Sequence, residues 1–172
     1  VTDKTLDRLA SVAHFVIAED KAGDIGKTKL NKILWFADCA AWRRLGRTIT
    51  GLTEYAKLQY GPVPPRIDFA LNRLVADGSV RTDSHYVGTY VRHAFVSLKS
   101  PHIGNLLTPE DKEILSSVME AVRPLTAFEV SELSHDALWE ETPHGAMIPV
   151  QAASAQLVAP DERILEWARK VG

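Results

Sequence analysis

The stretch "AGDIGKTKL", residues 22–30, holds Gly26-Lys27-Thr28, the three letters that close a phosphate-binding P-loop. Such a loop reads G-x-x-x-x-G-K-[ST] and follows a buried strand, because a glycine-rich turn must curl its backbone N–H groups around the phosphates. Here the first glycine position holds Lys21, and upstream Leu6, Leu9, Ala10, Ala13, Val16 and Ile17 recur at three- and four-residue steps. That period belongs to an amphipathic helix, so the feeding strand is missing. The triplet is instead expected to open a helix, with Thr28 as N-cap and the Lys27 ammonium in water. Cys39 could act as a nucleophile only in an electropositive, accessible setting beside a histidine base. No signature supplies one, and a free cysteine inside a helix reads as a packing residue. His135, Asp136, Glu140 and His144 could be grouped as metal ligands, but their spacing matches no zinc pattern such as H-E-x-x-H. His135 reads better as a partly buried helix residue bonded to another segment, with Trp139 packing beside it one turn later. There is no G-x-S-x-G elbow, no G-x-G-x-x-G fingerprint and no carboxylate pair in an apolar setting. The sequence therefore indicates no enzyme, no metal and no cofactor.

The elements that must position these residues fit one domain over residues 1–172. A chain of 172 residues, 45% hydrophobic and 24% charged, has the composition of an ordinary soluble globular protein. No apolar run approaches the ~20 residues of a membrane span, and "VTDKTLDRL" is not a signal peptide. A cytoplasmic location without membrane contact is expected, in keeping with a single cysteine. Residues 1–107 hold fifteen Lys/Arg and ten Asp/Glu, a balance of +5, whereas residues 108–172 hold five and twelve, a balance of -7. Two oppositely charged faces, or separate patches for basic and acidic partners, would both produce that asymmetry.

After the first helix, "KLNKILWFADCAAWRRLG" predicts a second, ending at Gly46. Leu30, Ile33, Leu34, Ala37, Ala41 and Leu45 would face inward, with Lys29, Lys32, Arg43 and Arg44 on a basic polar side. Residues 47–65 read as irregular or briefly extended, because Pro62, Pro64 and Pro65 exclude a helix interior. A third helix over 66–77 would bury Ile67, Ala70, Leu71, Leu74 and Val75, followed by a hairpin within 79–99. Thr108-Pro109 and Thr126-Ala127-Phe128-Glu129 announce helices over 109–122 and 127–138. Residues 141–160 are mixed, and a closing helix is expected over about 161–171. The fold class predicted is mainly α with a small β-hairpin, a compact single-domain helical fold. Its third helix and basic hairpin form a winged-helix-like unit. In a DNA-binding reading, Arg66, Asn72 and Arg73 would meet bases, while Arg81, Arg92 and Lys99 would meet phosphates. Asp68, Asp77 and Asp83 dilute that patch, so DNA is the less favoured partner.

Several separated pieces together resemble one family. They are Lys29-Leu30-Lys32 followed by Phe36-Ala37-Asp38, then Gly46 and Ile49-Thr50-Gly51, then Tyr60-Gly61-Pro62-Val63-Pro64, and finally Leu133-Ser134-His135 with Trp139. In that order, over roughly residues 5–145, the chain resembles the Panacea domain of SocA-like bacterial antitoxins. The resemblance implies a non-enzymatic antitoxin that binds and neutralises a protein toxin encoded by a neighbouring gene. The family's toxins include translation-targeting ones such as toxic alarmone synthetases. Repression of its own promoter, or delivery of the toxin to a protease, are the alternatives it carries. The motif residues Lys29, Lys32, Asp38, Tyr60, Gly61, Pro62, His135 and Trp139 would be scaffold or toxin-facing. Tyr60, His135 and Trp139 are expected to converge and lock the Gly-Pro turn onto the helices. Toxin specificity would sit on the basic helix, at Lys29, Lys32, Arg43 and Arg44, and on the hairpin, at Tyr86, Tyr90 and Arg92, because aromatic and arginine side chains anchor interfaces best.

Overall fold

A computed structural model describes residues 2–87 and 89–156, apart from the side chains of His85, Val87 and Tyr90. The Thr2 hydroxyl accepts the Thr5 N–H and starts α1 (Asp3–Glu19), whose Leu6-to-Ile17 stripe is buried as its period predicts. Asp20 then turns the chain, its carboxylate accepting the N–H groups of Asp24 and Ile25 at 2.9 and 2.8 Å. Gly26, not Thr28, is the N-cap of α2 (Lys27–Leu45), and Thr28 lies inside the first turn. A Cβ at Gly26 would stand 3.0 Å from the His93 carbonyl, so a capping side chain has no room there. Lys27 is not left to water alone, since its ammonium pairs with Asp68.

Three further helices and a strand explain the largest departure from expectation. They are α4 (Pro109–Val122), α5 (Ala127–Leu133), α7 (Val150–Gln156) and β2 (Gly61–Val63), and all pack on α2. Every residue from Leu30 to Cys39 is consequently buried. A helix covered on all sides has no polar face, so the basic side expected for α2 fails at Lys32, which is 1% exposed. Gly46 ends α2 as predicted, in the left-handed region at φ 66° with its N–H on the Trp42 carbonyl.

β1 (Glu54–Leu58) lies at the centre of an antiparallel sheet, between β2 and β5 (Met147–Pro149), with Ala56 opposite Val63 and Tyr55 opposite Ile148. α3 (Ile67–Ala76) buries Ile67, Ala70, Leu71 and Leu74 but leaves Val75 43% exposed, against the expectation. The hairpin forms as predicted from β3 (Val80–Val87) and β4 (Tyr90–Ser97). Its base is tied down by the Phe95 N–H on the Ile25 carbonyl at 2.9 Å and by the His14 ring on the Ser97 hydroxyl at 3.0 Å. Burial holds the His14 imidazole below its ordinary pKa.

Both threonine signals are complete capping boxes, Thr108 with Asp111 and Thr126 with Glu129. The helix expected over 127–138 is nevertheless two. Asp136 accepts the Trp139 N–H at 2.8 Å and so caps a new helix, α6 (Ala137–Glu141). An aspartate that bonds a nearby backbone N–H competes with continued helix, which places His135 in the break rather than in a helix. The closing helix expected at 161–171 lies outside the described residues. The described chain is mixed α/β, with helices dominant and two small antiparallel sheets.

Candidate functional site

Three separate segments meet at Lys32. From α2 its ammonium donates to the Pro62 carbonyl of β2 at 3.1 Å, with no carboxylate paired to it among the described residues. Burial pushes its pKa down to about 7. Gly61 passes over it with φ 99°, and a Cβ there would lie 2.5 Å from Lys32 Nζ and closer still to the Ser134 hydroxyl. Ser134 is fully buried and donates to the Ser131 carbonyl at 2.7 Å, which fixes the end of α5 beneath the Gly-Pro strand. Next to it the rings of His135 and Trp139 stack with centroids 3.7 Å apart and planes 10° from parallel. The Lys57 ammonium of β1 sits 4.2 Å over the Trp139 ring. Glu132 Oε1 lies 3.3 Å from His135 Nδ1, yet burial outweighs that carboxylate and holds the imidazole below its usual pKa. The junction thus gathers Lys32, Gly61, Pro62, His135 and Trp139, but not Tyr60, which is 63% exposed and does not lock the turn.

Lys32 yields a pH-dependent prediction. Its folded-state pKa near 7 lies below the ordinary 10.5, so between those values the unfolded chain binds more protons and stability rises with pH. Lys32→Met removes the desolvated ammonium and should stabilise the protein by about 1–3 kcal/mol at pH 6. The gain should fade towards pH 10.5, as denaturant titrations at the two pH values would show.

Asp38 serves a second clasp. Fully buried on α2, it accepts the N–H groups of Ile49 and Thr50 at 2.7 and 3.0 Å, the Tyr55 hydroxyl at 2.8 Å and the Thr50 hydroxyl. Burial raises its pKa to about 6, against the opposing pull of these donors. Tyr55 in turn meets Trp35 edge-on at 5.0 Å, so the loop after Gly46 and the start of β1 are both fastened to α2. Thr50 and Tyr55 escaped the sequence reading as partners, although Ile49-Thr50-Gly51 marked the loop.

The residues expected to face a toxin are less accessible than their types suggest. Lys29 donates to the Arg123 carbonyl at 3.2 Å, and Lys32 is internal, so no continuous basic stripe exists on α2. Arg43 and Arg44 are exposed, the latter paired with Glu113 at 3.1 Å. On the hairpin Tyr86 is 81% exposed, whereas Arg92 bonds the Asp24 carbonyl at 2.7 Å and its carboxylate at 3.0 Å. Arg92 is therefore a tie between β4 and the loop before α2, and the Tyr90 side chain lies outside the description. Cations suggested for DNA are likewise engaged, Arg73 with Asp7 at 2.6 Å and Arg81 with Asp83 at 2.7 Å. Lys99 donates to the Asp77 carbonyl at 2.6 Å. Cys39 is buried, and burial raises its thiol pKa well above the usual value, the opposite of nucleophilic activation.

This geometry defines a helical scaffold whose motif side chains hold distant segments of its own chain together. A model of the family described as "Antitoxin SocA-like, Panacea domain" matches residues 30–140, from the second turn of α2 through α6, and the chain belongs to that family. No curated protein and no solved structure matches it significantly. An antitoxin family implies, in general, a toxin as partner. Among the described residues no helix is long and apolar enough to cross a membrane.

Proposed function

We propose that this protein is the antitoxin of a toxin–antitoxin pair and neutralises a protein toxin, encoded beside it, by direct binding through a folded surface. The observation that carries the reading is the family match over residues 30–140. The geometry supports a scaffold role for the motif residues, since Lys32, Asp38 and Gly61 are buried and spent on internal contacts. Toxin contact then falls to exposed side chains, and among the described residues the most exposed large hydrophobic ones are Tyr60, Tyr86 and Phe128, at 63%, 81% and 72%. Neutralisation without chemistry is supported by the buried, proton-retaining Cys39 thiol. The winged-helix reading, as a regulator of its own operon, is weakened by the internal ion pairs of Arg73, Arg81 and Arg92.

The test is a growth rescue. The neighbouring gene is induced in a bacterial host with and without this protein, and relief of toxicity together with a co-purifying complex is expected. A toxic neighbour that is not rescued, or a harmless one, would overturn the pairing. Steeply salt-dependent binding to upstream DNA would then favour the regulator.

A further inference from the structure

β3 belongs to a two-stranded sheet and has β4 on one side only. The Leu98 N–H donates to the Ser79 carbonyl at 2.8 Å, which extends the Val80–Ser97 register by one step. In an antiparallel ladder successive residues turn their backbone groups alternately towards the partner strand and away from it. Arg81, Asp83 and His85 therefore bond β4, whereas Thr82, Ser84 and Tyr86 turn their N–H and C=O groups outward. β4 keeps the same alternation. Its outward Phe95 N–H donates to the Ile25 carbonyl at 2.9 Å, and its outward His93 carbonyl lies against Gly26, so the loop before α2 covers that edge. The edge of β3 has no such cover: Thr82, Ser84 and Tyr86 are exposed, and their backbone groups have no partner among the described residues. The usual defences of an open edge are missing as well. β3 holds no proline, no lysine and no bulge, and Arg81 is spent on Asp83 at 2.7 Å.

A row of outward N–H and C=O groups at ~7 Å spacing is complementary to another extended backbone. β3 supplies that complement itself, because a two-fold axis sets its edge antiparallel to the same edge of a second copy. Charge and access select the register. An axis at Asp83 would oppose two aspartates, one at His85 two histidines, and one at Thr82 would draw on the backbone of Val80, which is buried. An axis at Ser84 uses only the exposed groups. Thr82 then falls opposite Tyr86 of the second copy, a β-branched residue against an aromatic one, and Asp83 falls opposite His85, an acid against a base. We propose that two copies of this chain pair antiparallel along β3, Ser84 opposite Ser84, and join their hairpins into one four-stranded sheet. About six backbone hydrogen bonds form across the new ladder, and so small an interface suits a reversible dimer. This pairing goes beyond the antitoxin reading and does not rest on it.

The test needs no toxin. Sedimentation equilibrium of the full chain should show monomers and dimers exchanging with a Kd of ~10–100 µM. Ser84→Pro removes an N–H that faces the second copy and leaves the β3–β4 ladder intact, so it should weaken the dimer about tenfold or more. Ser84→Lys and Ser84→Asp each set like charges face to face at the axis and should weaken it to a similar extent. An equimolar mixture of those two variants should pair at least as tightly as wild type, and this result stands even if Ser84→Pro does not fold. A chain still monomeric at ~1 mM, a dimer that the substitutions leave unchanged, or a mixture that pairs no better than its components would each overturn the proposal. So would a monomeric wild type whose folded Ser84→Pro variant loses growth rescue, since the strand along β3 would then be the toxin's. A dimer with a failed growth rescue would keep the β3 interface and reject only the antitoxin pairing.

Discussion

Gly61→Ala is expected to destabilise the protein by about 3–5 kcal/mol, the sum of a strained backbone and an overfilled junction. Its φ of 99° is a conformation that L side chains rarely adopt. The added methyl would also collide with the Ser134 hydroxyl and stand 2.5 Å from Lys32 Nζ. Neither neighbour has an easy retreat, since Ser134 is fully buried and Lys32 is 1% exposed and bonded to the Pro62 carbonyl. Gly46→Ala supplies the contrast. Gly46 is also left-handed, at φ 66°, but a Cβ there meets nothing within 4 Å, so the cost should be about 1 kcal/mol. Urea unfolding of both variants measures the difference. Adding Ser134→Ala to Gly61→Ala should recover only the part due to the Ser134 hydroxyl and leave the backbone part and the Lys32 contact. Equal costs at the two glycines would mean that the junction yields freely. Loss of rescue in Gly61→Ala would then report a loosened scaffold, not a lost toxin contact.

The elements that were legible in the sequence are those whose signals are local. Thr108 and Thr126 satisfy N–H groups three residues away, and the α1 stripe repeats within one helix, so both could be read without knowing what packs on them. α2 could not. Its burial from Leu30 to Cys39 depends on α4, α5, α7 and β2 arriving from elsewhere in the chain, and only that arrival turns Lys32 from a surface cation into the centre of a junction. The same limit applies to β5, whose three residues carry no period and gain their identity from pairing with β1. The break at Ser134 was readable in principle, because Asp136 is a capping residue, but the apolar pattern running on to Leu138 concealed it. Of the site, the motif spacing pointed to Gly61, Pro62, His135 and Trp139, and their meeting at Lys32 is a matter of tertiary structure.

At pH 4, Asp38→Ala should cost about 3–5 kcal/mol, because it strands the Ile49 and Thr50 N–H groups and the Thr50 and Tyr55 hydroxyls in a fully buried site. At the same pH, Asp38→Asn should cost under about 1 kcal/mol. Asparagine can keep its Oδ1 on the two N–H groups and turn its NH₂ towards the two hydroxyls, each of which can rotate from donor to acceptor. The raised pKa points the same way: a folded-state value of about 6 against an ordinary 3.8 means that the site favours the uncharged group. Stability tied to Asp38 is therefore full below about pH 4 and is lost as pH rises through 6, by up to about 3 kcal/mol. Asp38→Asn, lacking a titrating group there, should not show that loss. Measured at pH 4 and pH 7, the stability of wild type relative to Asp38→Asn should fall between the two, while Asp38→Ala stays low at both. If Asp38→Asn proves as damaging as Asp38→Ala, the negative charge itself holds the loop. In that event the clasp is electrostatic, and its pH dependence should run the other way, strengthening as the carboxyl ionises.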